Sequence, residues 1–107
     1  MLGYDEPCFV ISVAARILGV QTQTLRYYER LGLLEPQRTS GNQRVYSRRE
    51  VERVRRIREL MDDLGVNLAG VEVVMKLLDR LQETEAEAAR LAEENARLTA
   101  IVSGVIR

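Results

Sequence analysis

Apolar positions in the first half of the chain recur at helical spacing and are interrupted by glycines, which divides this half into short helices. Residues 9–19 predict a short strand or turn that enters a helix, with Ser12 as its N-cap and Gly19 as its left-handed stop. A second helix is expected over about residues 22–31, ending at Gly32. The pattern therefore begins with two short helices joined by a tight turn.

The second predicted helix has two distinct faces. One face carries side chains suited to a core and comprises Val20, Thr24, Leu25, Tyr28 and Leu31. The opposite face is polar and comprises Thr22, Gln23, Arg26, Tyr27 and Arg30. We expect the first face to be buried and the second to be exposed.

A basic hairpin is expected after the second helix. Pro36 ends any helix, because proline pushes the residue before it into extended geometry. Residues 38–46 have Gly41 and Asn42 at their centre, which tolerate a positive φ, and residues suited to strands on either side. This pattern predicts two short strands joined by a turn.

The third predicted helix begins with a capping box. Ser47 and Glu50 have the spacing at which the serine hydroxyl and the glutamate carboxylate satisfy the first free amides of a helix. The helix is expected over about residues 48–64 and ends at Gly65. Its apolar stripe, at spacings of three and four, comprises Val51, Val54, Ile57, Met61 and Leu64. Helix, turn, helix, basic hairpin and helix together predict a winged helix-turn-helix.

The second half of the chain predicts one long helix that starts at an Asn67 cap, since no glycine or proline interrupts residues 71–103. A heptad repeat fits it, with a positions at Val74, Leu81, Ala88, Asn95 and Val102 and d positions at Leu77, Thr84, Leu91, Leu98 and Val105. Eight of these ten positions are apolar, as a helix seam requires.

An isolated helix this polar is marginal in water, so a second copy of the helix is the expected partner. The residues predicted to form the dimer are Leu77, Leu81, Ala88, Leu91, Asn95, Leu98 and Val102. Parallel and antiparallel pairings both remain open, and a solvated or partly disordered tail is the alternative interpretation.

The two halves carry opposite net charges, although the 107-residue chain is formally neutral. Residues 1–60 contain eleven arginines, no lysine and seven acidic residues, whereas residues 61–107 contain five basic and nine acidic residues. The arginine fork suits phosphates and the guanine edge in a major groove. A basic first half therefore favours a nucleic-acid partner, which the overall neutrality conceals.

The composition argues against metal, redox and catalytic functions. The chain has one cysteine, Cys8, and no histidine, whereas a zinc site needs about four ligands. Without a glycine-rich phosphate loop or convergent carboxylates, we expect no enzyme, no metal and no cofactor. No special role is expected for Cys8, with an intersubunit disulfide or a redox sensor as the alternatives. The lack of a long apolar run or a basic leader predicts a cytoplasmic protein without a membrane span.

The polar face of the second helix has the side chains of a recognition helix. Gln23 can pair with adenine, Arg26 can contact guanine or a phosphate, and Tyr27 can donate its hydroxyl to a phosphate. A solvated surface helix is the alternative interpretation. The arginine-rich hairpin that follows favours recognition, because a helix-turn-helix with a basic wing offers both elements to DNA.

The hairpin can place cations and amides beside the DNA backbone or in a minor groove. Its expected contacts are Arg38, Asn42, Gln43, Arg44 and Tyr46. For Tyr46, packing against the third helix is an equally good interpretation. The third helix carries six arginines, of which Arg53 is a candidate backbone contact. A solvated face, neutralised by pairs such as Glu52 with Arg56, is the alternative for most of them.

Over about residues 9–78, the sequence resembles the MerR family of bacterial transcription regulators. The shared motifs, in the family's order and spacing, are Ile11–Ala15, Gly19–Val20, Thr24–Glu29, Gly32–Leu34, Pro36, Arg38 and Arg44–Ser47. Within the family, residues 9–15, 38–41 and 64–72 are most similar to the heat-shock repressors. The sequence departs from many relatives at Gln21, where they have a serine cap, so either Thr22 caps the helix or the helix starts loosely.

The resemblance implies a mainly α-helical protein with a winged helix-turn-helix DNA-binding head and a C-terminal dimerisation coiled coil. Residues 1–8 are then a flexible leader, residues 9–76 the DNA-binding domain and residues 77–107 the dimerisation helix. By position, the resemblance assigns the DNA contacts to the same helix and hairpin residues that the chemistry selects: Thr22, Gln23, Arg26, Tyr27, Arg30, Arg38, Asn42, Gln43, Arg44 and Tyr46.

The resemblance also implies a function and partners. It points to a homodimeric, nucleoid-associated bacterial repressor of heat-shock and chaperone genes that binds double-stranded DNA at inverted repeats. The Hsp70 chaperone DnaK is the co-repressor that it implies. A MerR-like chaperone modulator that binds a J-domain protein instead of DNA is the alternative, and the hairpin pair Arg38 and Arg44 argues against it.

Overall fold

The glycine-bounded segments fold into helices and a small sheet in the computed structural model, which describes residues 3–105. Residues 1–2 and 106–107, part of the predicted leader and the predicted coil, lie outside the described residues. In chain order the elements are β1 (Phe9–Val10), α1 (Ile11–Leu18), α2 (Thr22–Arg30), β2 (Gln37–Arg38), β3 (Arg44–Tyr46), α3 (Arg48–Arg58), a π-helical segment (Glu59–Asp63) and α4 (Leu68–Val105). Two compact units result, residues 1–72, called the head, and residues 73–107, called the coil unit.

Helix α1 begins at the sheet rather than at a serine cap. Val10 is extended and pairs with Val45 of β3, so the helix starts directly after it, at Ile11. The prediction of Ser12 as the N-cap is therefore wrong, because strand pairing fixes where the helix starts. The predicted stop is confirmed, since Gly19 has a φ of +67°, in the left-handed region that favours glycine.

Helix α2 lies where the sequence predicted it and ends slightly earlier, at Arg30. The residue before it, Gln21, is extended, and no side chain caps the first turn, so Thr22 does not replace the missing serine. Leu25 and Tyr28 are buried, which confirms the core-facing side of this helix.

The predicted hairpin forms, and a third strand extends it. Strand β3 lies between β1 and β2 and is antiparallel to both. At the turn, the Asn42 N–H donates to the Thr39 carbonyl oxygen at 2.8 Å, and Asn42 has a φ of +62°. The positive φ that the sequence predicted for the centre of the hairpin therefore falls on Asn42 rather than on the neighbouring glycine.

Helix α3 starts with the predicted capping box and ends earlier than predicted. The Ser47 N–H donates to Glu50 Oε1 at 3.0 Å, and the Glu50 N–H donates to Ser47 Oγ at 3.4 Å. After Arg58 the backbone becomes π-helical, and its wider turn shifts the phase of the apolar stripe. Leu60 is buried there, whereas Leu64 is 65% exposed, so the prediction that Leu64 lies in the buried stripe is wrong.

The core of the head forms where α1 contacts α2, α3 and β3. Its buried apolar side chains are Ala14, Ala15, Leu25, Tyr28, Leu33, Leu34, Tyr46, Val51, Val54, Ile57, Leu60 and Val71. The segment before β1 is hydrogen-bonded to this core, since the Cys8 N–H donates to the Tyr46 carbonyl oxygen at 2.9 Å. The Arg49 N–H also donates to the Tyr4 carbonyl oxygen at 3.2 Å, which satisfies a free amide in the first turn of α3.

Helix α4 starts at the predicted asparagine cap. Asn67 Oδ1 accepts a hydrogen bond from the Gly70 N–H at 2.8 Å, which satisfies a free amide of the first turn. A Cβ atom at Gly70 would lie only 2.7 Å from Cγ1 of Val66, so a larger residue here would require the Val66 side chain to move. The glycine and the cap together define where the helix begins.

In the coil unit, every described side chain from residue 80 onward is exposed. The exposed large apolar side chains there are Val73, Leu77, Leu81, Leu91, Leu98, Ile101 and Val102. They include five of the predicted dimer residues, and the other two, Ala88 and Asn95, are exposed as well. The side chain of Val105, predicted at a d position, lies outside the described part. Across residues 3–105 no helix has both the length and the apolar character that a membrane crossing requires.

Candidate nucleic-acid interface

Helix α2 presents most of its predicted contact residues to the surface. Gln23, Tyr27 and Arg30 are exposed, whereas Thr22 and Arg26 are half-buried. The Arg30 guanidinium carbon lies 5.6 Å from the centre of the Tyr27 ring, a cation–π contact that restricts both side chains. This face therefore offers an amide, a phenol and two guanidinium groups, all of which can donate to base edges or phosphates.

The positive charge of α2 is not neutralised locally. Neither Arg26 nor Arg30 forms an ion pair with another residue of the described range. The first turn of the helix also lacks a side-chain cap, so its positive end is unscreened by protein groups. An anion that approaches this end of the helix meets free amides, and the unpaired Arg26 lies one turn further along.

The two arginines of the hairpin, Arg38 and Arg44, converge on one carboxylate of α2. The hairpin, residues 37–46, is called the wing. Arg38 Nη2 donates to Glu29 Oε1 at 3.1 Å, and Arg44 Nε donates to Glu29 Oε2. Arg38 Nη1 also donates to the carbonyl oxygen of Asn42 at 3.1 Å. Glu29 thereby connects the end of α2 to both strands of the wing, and Arg38 continues that connection to the turn.

Glu29 offsets a repulsion that strand pairing creates. Arg38 and Arg44 are direct cross-strand partners, and like charges at such positions destabilise a hairpin. The Glu29 side chain is only 22% exposed, so its attraction for both guanidinium groups is less screened by water than at an open surface. One carboxylate thus allows two cations to stand side by side on a narrow ribbon.

The sequence pattern does not mark Glu29 as part of the site. Its partners lie nine and fifteen residues away in the chain and on different elements, so no helical or strand periodicity connects them. The one available signal is an acidic residue inside an otherwise basic segment, which by itself suggests only a solvated helix face.

The tip of the wing has a fixed backbone and exposed side chains. The Thr39 N–H donates to the Gln43 carbonyl oxygen at 2.9 Å, and the Gln43 N–H donates to Thr39 Oγ1 at 3.2 Å. Asn42 and Gln43 are exposed, and no hydrogen bond within residues 3–105 uses their side-chain amides. Both amides can therefore bind a partner without first breaking an internal contact.

Tyr46 lies inside the head rather than on the wing surface. Its side chain is 1% exposed, and its buried hydroxyl has no hydrogen-bond partner among the described residues. Burial raises the pKa of Tyr46, the Glu29 carboxylate raises it further, and Arg44 acts in the opposite direction. Of the two roles that the sequence left open for Tyr46, this position favours packing over phosphate contact.

Arg53, the candidate backbone contact on α3, is half-buried. Its Nε donates to the Leu33 carbonyl oxygen at 2.6 Å, which fixes the loop that follows α2. On the outer face of α3, Arg55 pairs with Glu52 at 3.0 Å. The predicted pair of Glu52 with Arg56 is therefore wrong, because the carboxylate reaches the nearer arginine, which leaves Arg56 exposed.

Comparison with known proteins places the head in a family. Residues 9–78 match the model of the MerR HTH family regulatory protein. A Streptomyces coelicolor protein named heat shock protein HspR is 48% identical over 88 residues, which cover 82% of this chain and 58% of that protein. The HTH-type transcriptional regulator GlnR of Bacillus anthracis is 31% identical over 95 residues, which cover 89% of this chain and 70% of that protein. The chain thus spans little more than half the length of the Streptomyces relative.

The fold is shared with solved structures of the same family. The crystal structure of HiNmlR, a MerR family regulator lacking the sensor domain, bound to promoter DNA, superposes with a TM-score of 0.59 at 18% sequence identity. The alignment covers 89% of this chain and 78% of that one, which confirms the predicted fold class. The matched family is one of regulatory proteins, and GlnR is named a transcriptional regulator, which confirms the expectation that the chain is not an enzyme. The chain belongs to the MerR HTH family of regulatory proteins.

Proposed function

We propose that the chain is a sequence-specific DNA-binding regulator that represses heat-shock and chaperone genes. The observation that carries the proposal is the wing, whose two arginines are attached through Glu29 to the helix that bears the polar recognition face. The heat-shock assignment is supported by the identity of 48% with a relative named HspR. A cytoplasmic, nucleoid-associated location follows from this function.

Helix α2 is the element proposed to enter the major groove. Gln23 and Arg26 stand early in the helix, where a recognition helix contacts base edges, and they are assigned to adenine and to guanine or a phosphate. Tyr27, Arg30 and Thr22 are assigned to the DNA backbone. The cation–π contact between Arg30 and Tyr27 supports this, because it holds two phosphate donors in one place.

The wing is proposed to contact the neighbouring backbone or minor groove. Arg38, Asn42, Gln43 and Arg44 are the contact residues, and all four are exposed or half-buried with donors left over. Tyr46 was included in this set by the sequence, but its burial gives it a supporting role beneath the wing.

Dimerisation is proposed through the coil unit. The exposed apolar side chains of α4 recur at heptad spacing, and burying them against a second copy removes their apolar surface from water. We assign residues 9–76 to DNA binding and residues 77–107 to dimerisation through Leu77, Leu81, Ala88, Leu91, Asn95, Leu98 and Val102. A two-fold dimer presents two heads, so the matching DNA site is an inverted repeat.

DnaK is proposed as a co-repressor on the strength of the similarity to HspR. Titration of purified DnaK into a gel shift tests this directly. We expect DnaK to lower the concentration of regulator needed to shift a chaperone promoter fragment, with bovine albumin as the control. An unchanged midpoint at saturating DnaK removes this partner and leaves the DNA-binding proposal intact.

Selection of bound genomic fragments by the purified protein tests DNA binding. We expect an inverted repeat upstream of chaperone genes, with affinity that falls steeply as salt rises, because phosphate contacts release counterions. The variant Arg26→Ala should lose about tenfold or more in affinity for that site. Arg56→Ala, which also removes an exposed arginine, is the matched control and should lose far less.

Equal losses in the two variants would show that general charge, rather than the α2 face, determines binding. Failure of the wild-type protein to retain DNA at low salt, together with a stable complex with a J-domain protein, would instead establish the chaperone-modulator alternative.

A further inference from the structure

We propose that Glu29 is a positioning residue that sets how selectively the wing binds DNA, without contacting DNA itself. The inference rests on the proposed DNA-binding function and goes beyond it, because it gives a negatively charged residue a role in recognising a polyanion. Three features support it: the free donors of the two wing arginines, the attachment of both to one rigid helix, and the opposing effects of one carboxylate charge.

The wing arginines keep free donors while Glu29 holds them. Arg44 uses its Nε on Glu29, and no hydrogen bond within residues 3–105 uses its two terminal nitrogens. Arg38 donates through each terminal nitrogen once, to Glu29 and to the Asn42 carbonyl oxygen. Because a guanidinium group carries several N–H donors in one plane, each arginine can hold Glu29 and a phosphate or base edge at the same time. DNA binding therefore does not require this ion-pair network to break.

Attachment to Glu29 reduces the freedom of both arginines before DNA arrives. Glu29 lies in the last turn of α2, so its carboxylate moves with the recognition helix and carries the wing with it. A DNA site that fits α2 then meets wing donors already in place, and less side-chain freedom is lost on binding. A random sequence, bound through loose phosphate contacts, gains little from this alignment.

The charge of Glu29 has the opposite effect on binding to arbitrary DNA. It offsets one of the two positive charges of the wing, which weakens attraction to any phosphate backbone. Glu29 is therefore expected to strengthen binding at the fitted site and to weaken binding elsewhere. A residue that served only the stability of the head would change both affinities in the same direction.

The test compares Glu29→Gln with Glu35→Gln in the full-length protein. Glu35 is exposed, lies in the loop before Pro36 and forms no ion pair with a described residue, so its substitution removes the same charge without touching the wing. Two probes are used: the duplex that the wild-type protein enriches most from a random-sequence pool, and a shuffled duplex of the same composition. Affinity for each is measured by fluorescence anisotropy at several salt concentrations.

We expect Glu35→Gln to tighten binding to both duplexes by a similar small factor. Glu29→Gln should tighten binding to the shuffled duplex and weaken binding to the enriched one, so that the ratio of the two affinities falls about tenfold. Glu29→Asp keeps the charge and shortens the side chain, so it should lower the affinity for the enriched duplex without tightening the shuffled one. Circular dichroism melts establish that each variant is folded.

A Glu29→Gln variant that behaves like Glu35→Gln on both duplexes would overturn the inference. So would the failure of both Glu29 variants to fold, since the residue would then serve stability alone. These results differ from failure of the proposed function, which would show as a wild-type protein that enriches no duplex and binds neither probe.

Discussion

Different kinds of contact are found within the head and within the coil unit. In the head, contacts join residues far apart in sequence, such as Glu29 with Arg44 and Arg53 with the Leu33 carbonyl oxygen. In the coil unit, ion pairs such as Glu87 with Arg90 and Glu94 with Arg97 join residues only three positions apart. The head therefore contains the contacts that define its fold, whereas the coil unit has a helix with an unburied apolar stripe.

The free energies of the two kinds of contact explain why this difference matters. A helical ion pair at a surface contributes about 0.3–0.5 kcal/mol, whereas burying one leucine side chain contributes about 1.5–3 kcal/mol. Pairs such as Glu94 with Arg97 therefore cannot substitute for burial of Leu91 and Leu98, which are 52% and 47% exposed. We therefore expect the coil unit, unlike the head, to need a second surface for stability.

The largest effect is expected when charge is placed on the stripe. The double variant Leu91→Glu with Leu98→Glu should abolish the dimer, because two carboxylates would be buried in its seam. Affinity for an inverted repeat should fall about a hundredfold or more, since each head then binds its half-site separately. Sedimentation velocity and gel shifts measure the two effects.

Ala89→Glu with Ala96→Glu is the control, since it adds the same charge to the same helix at b positions of the heptad. This variant should remain a dimer with nearly unchanged DNA binding. If the stripe variant also remains a dimer, then the heptad assignment is wrong and the coil unit pairs through another face.

A substitution in the core of the head tests whether the stability of the head is independent of the dimer. Ile57 is fully buried in the head, and Ile57→Ala should lower the free energy of unfolding by about 2–5 kcal/mol at every protein concentration. Leu81→Ala removes a similar volume from the stripe, and the stability that it loses should be partly regained at higher protein concentration, because a dimer is stabilised by mass action.

Urea unfolding at two protein concentrations distinguishes these cases, and Ile57→Val is the mild control, expected to cost about 0.5–1.5 kcal/mol. A concentration-dependent loss in Ile57→Ala would mean that the head also depends on the dimer, which would remove the distinction between the two units.

Features with a local cause could be predicted from the sequence. The capping box of Ser47 and Glu50, the left-handed Gly19 and the Asn67 cap each depend on residues within a few positions of one another. The faces of α2 follow from helical periodicity alone, and Leu25 lies in the core as that periodicity requires. Most of the elements, and most of the candidate contact residues, belong to this class.

The outcomes at Ser12 and Glu29 have a non-local cause, whereas the errors at Leu64 and Glu52 arise within one helix. Ser12 is not a cap because Val10 pairs with a strand far along the chain, and Leu64 leaves the core because the backbone becomes π-helical before it. Glu29 was missed because its two arginines come from another element. Sequence patterns describe which residues share a face, whereas the outcomes at Ser12 and Glu29 depend on what that face meets.

Loss of a helix cap in the head is expected to have a smaller effect than loss of core volume. Ser47→Ala should destabilise the head by about 1 kcal/mol, because an amide of the first turn of α3 loses its acceptor. Ser40→Ala, on the exposed turn of the wing, is the control and should stay within about 0.5 kcal/mol of the wild type. Thermal melts compare them. Equal stability of the two variants would show that the capping box contributes nothing in solution.

The smallest effect is expected from a substitution of Tyr46, the last residue of the wing, whose side chain is buried in the head. Its hydroxyl is buried without a hydrogen-bond partner among the described residues, and such a group destabilises the folded state. Tyr46→Phe should therefore leave stability unchanged at neutral pH or raise it by up to about 1 kcal/mol. DNA affinity should not change, because the hydroxyl does not reach the surface. A clear loss of affinity would restore the phosphate-contact interpretation.

The contribution of the Tyr46 hydroxyl to stability can also be measured at alkaline pH. Its pKa in the folded head is raised above the ordinary value of 10.0, first by burial and then by Glu29, so the folded state favours the protonated form. The stability associated with that form is complete below the ordinary pKa and is lost as pH rises through the raised one. Wild-type protein should therefore lose stability above about pH 10 faster than Tyr46→Phe, and the difference between the two removes the contribution of the other tyrosines. Parallel pH profiles would mean that Tyr46 gains access to water in solution, and the wing would then be less firmly packed on the head than the contacts of Glu29 indicate.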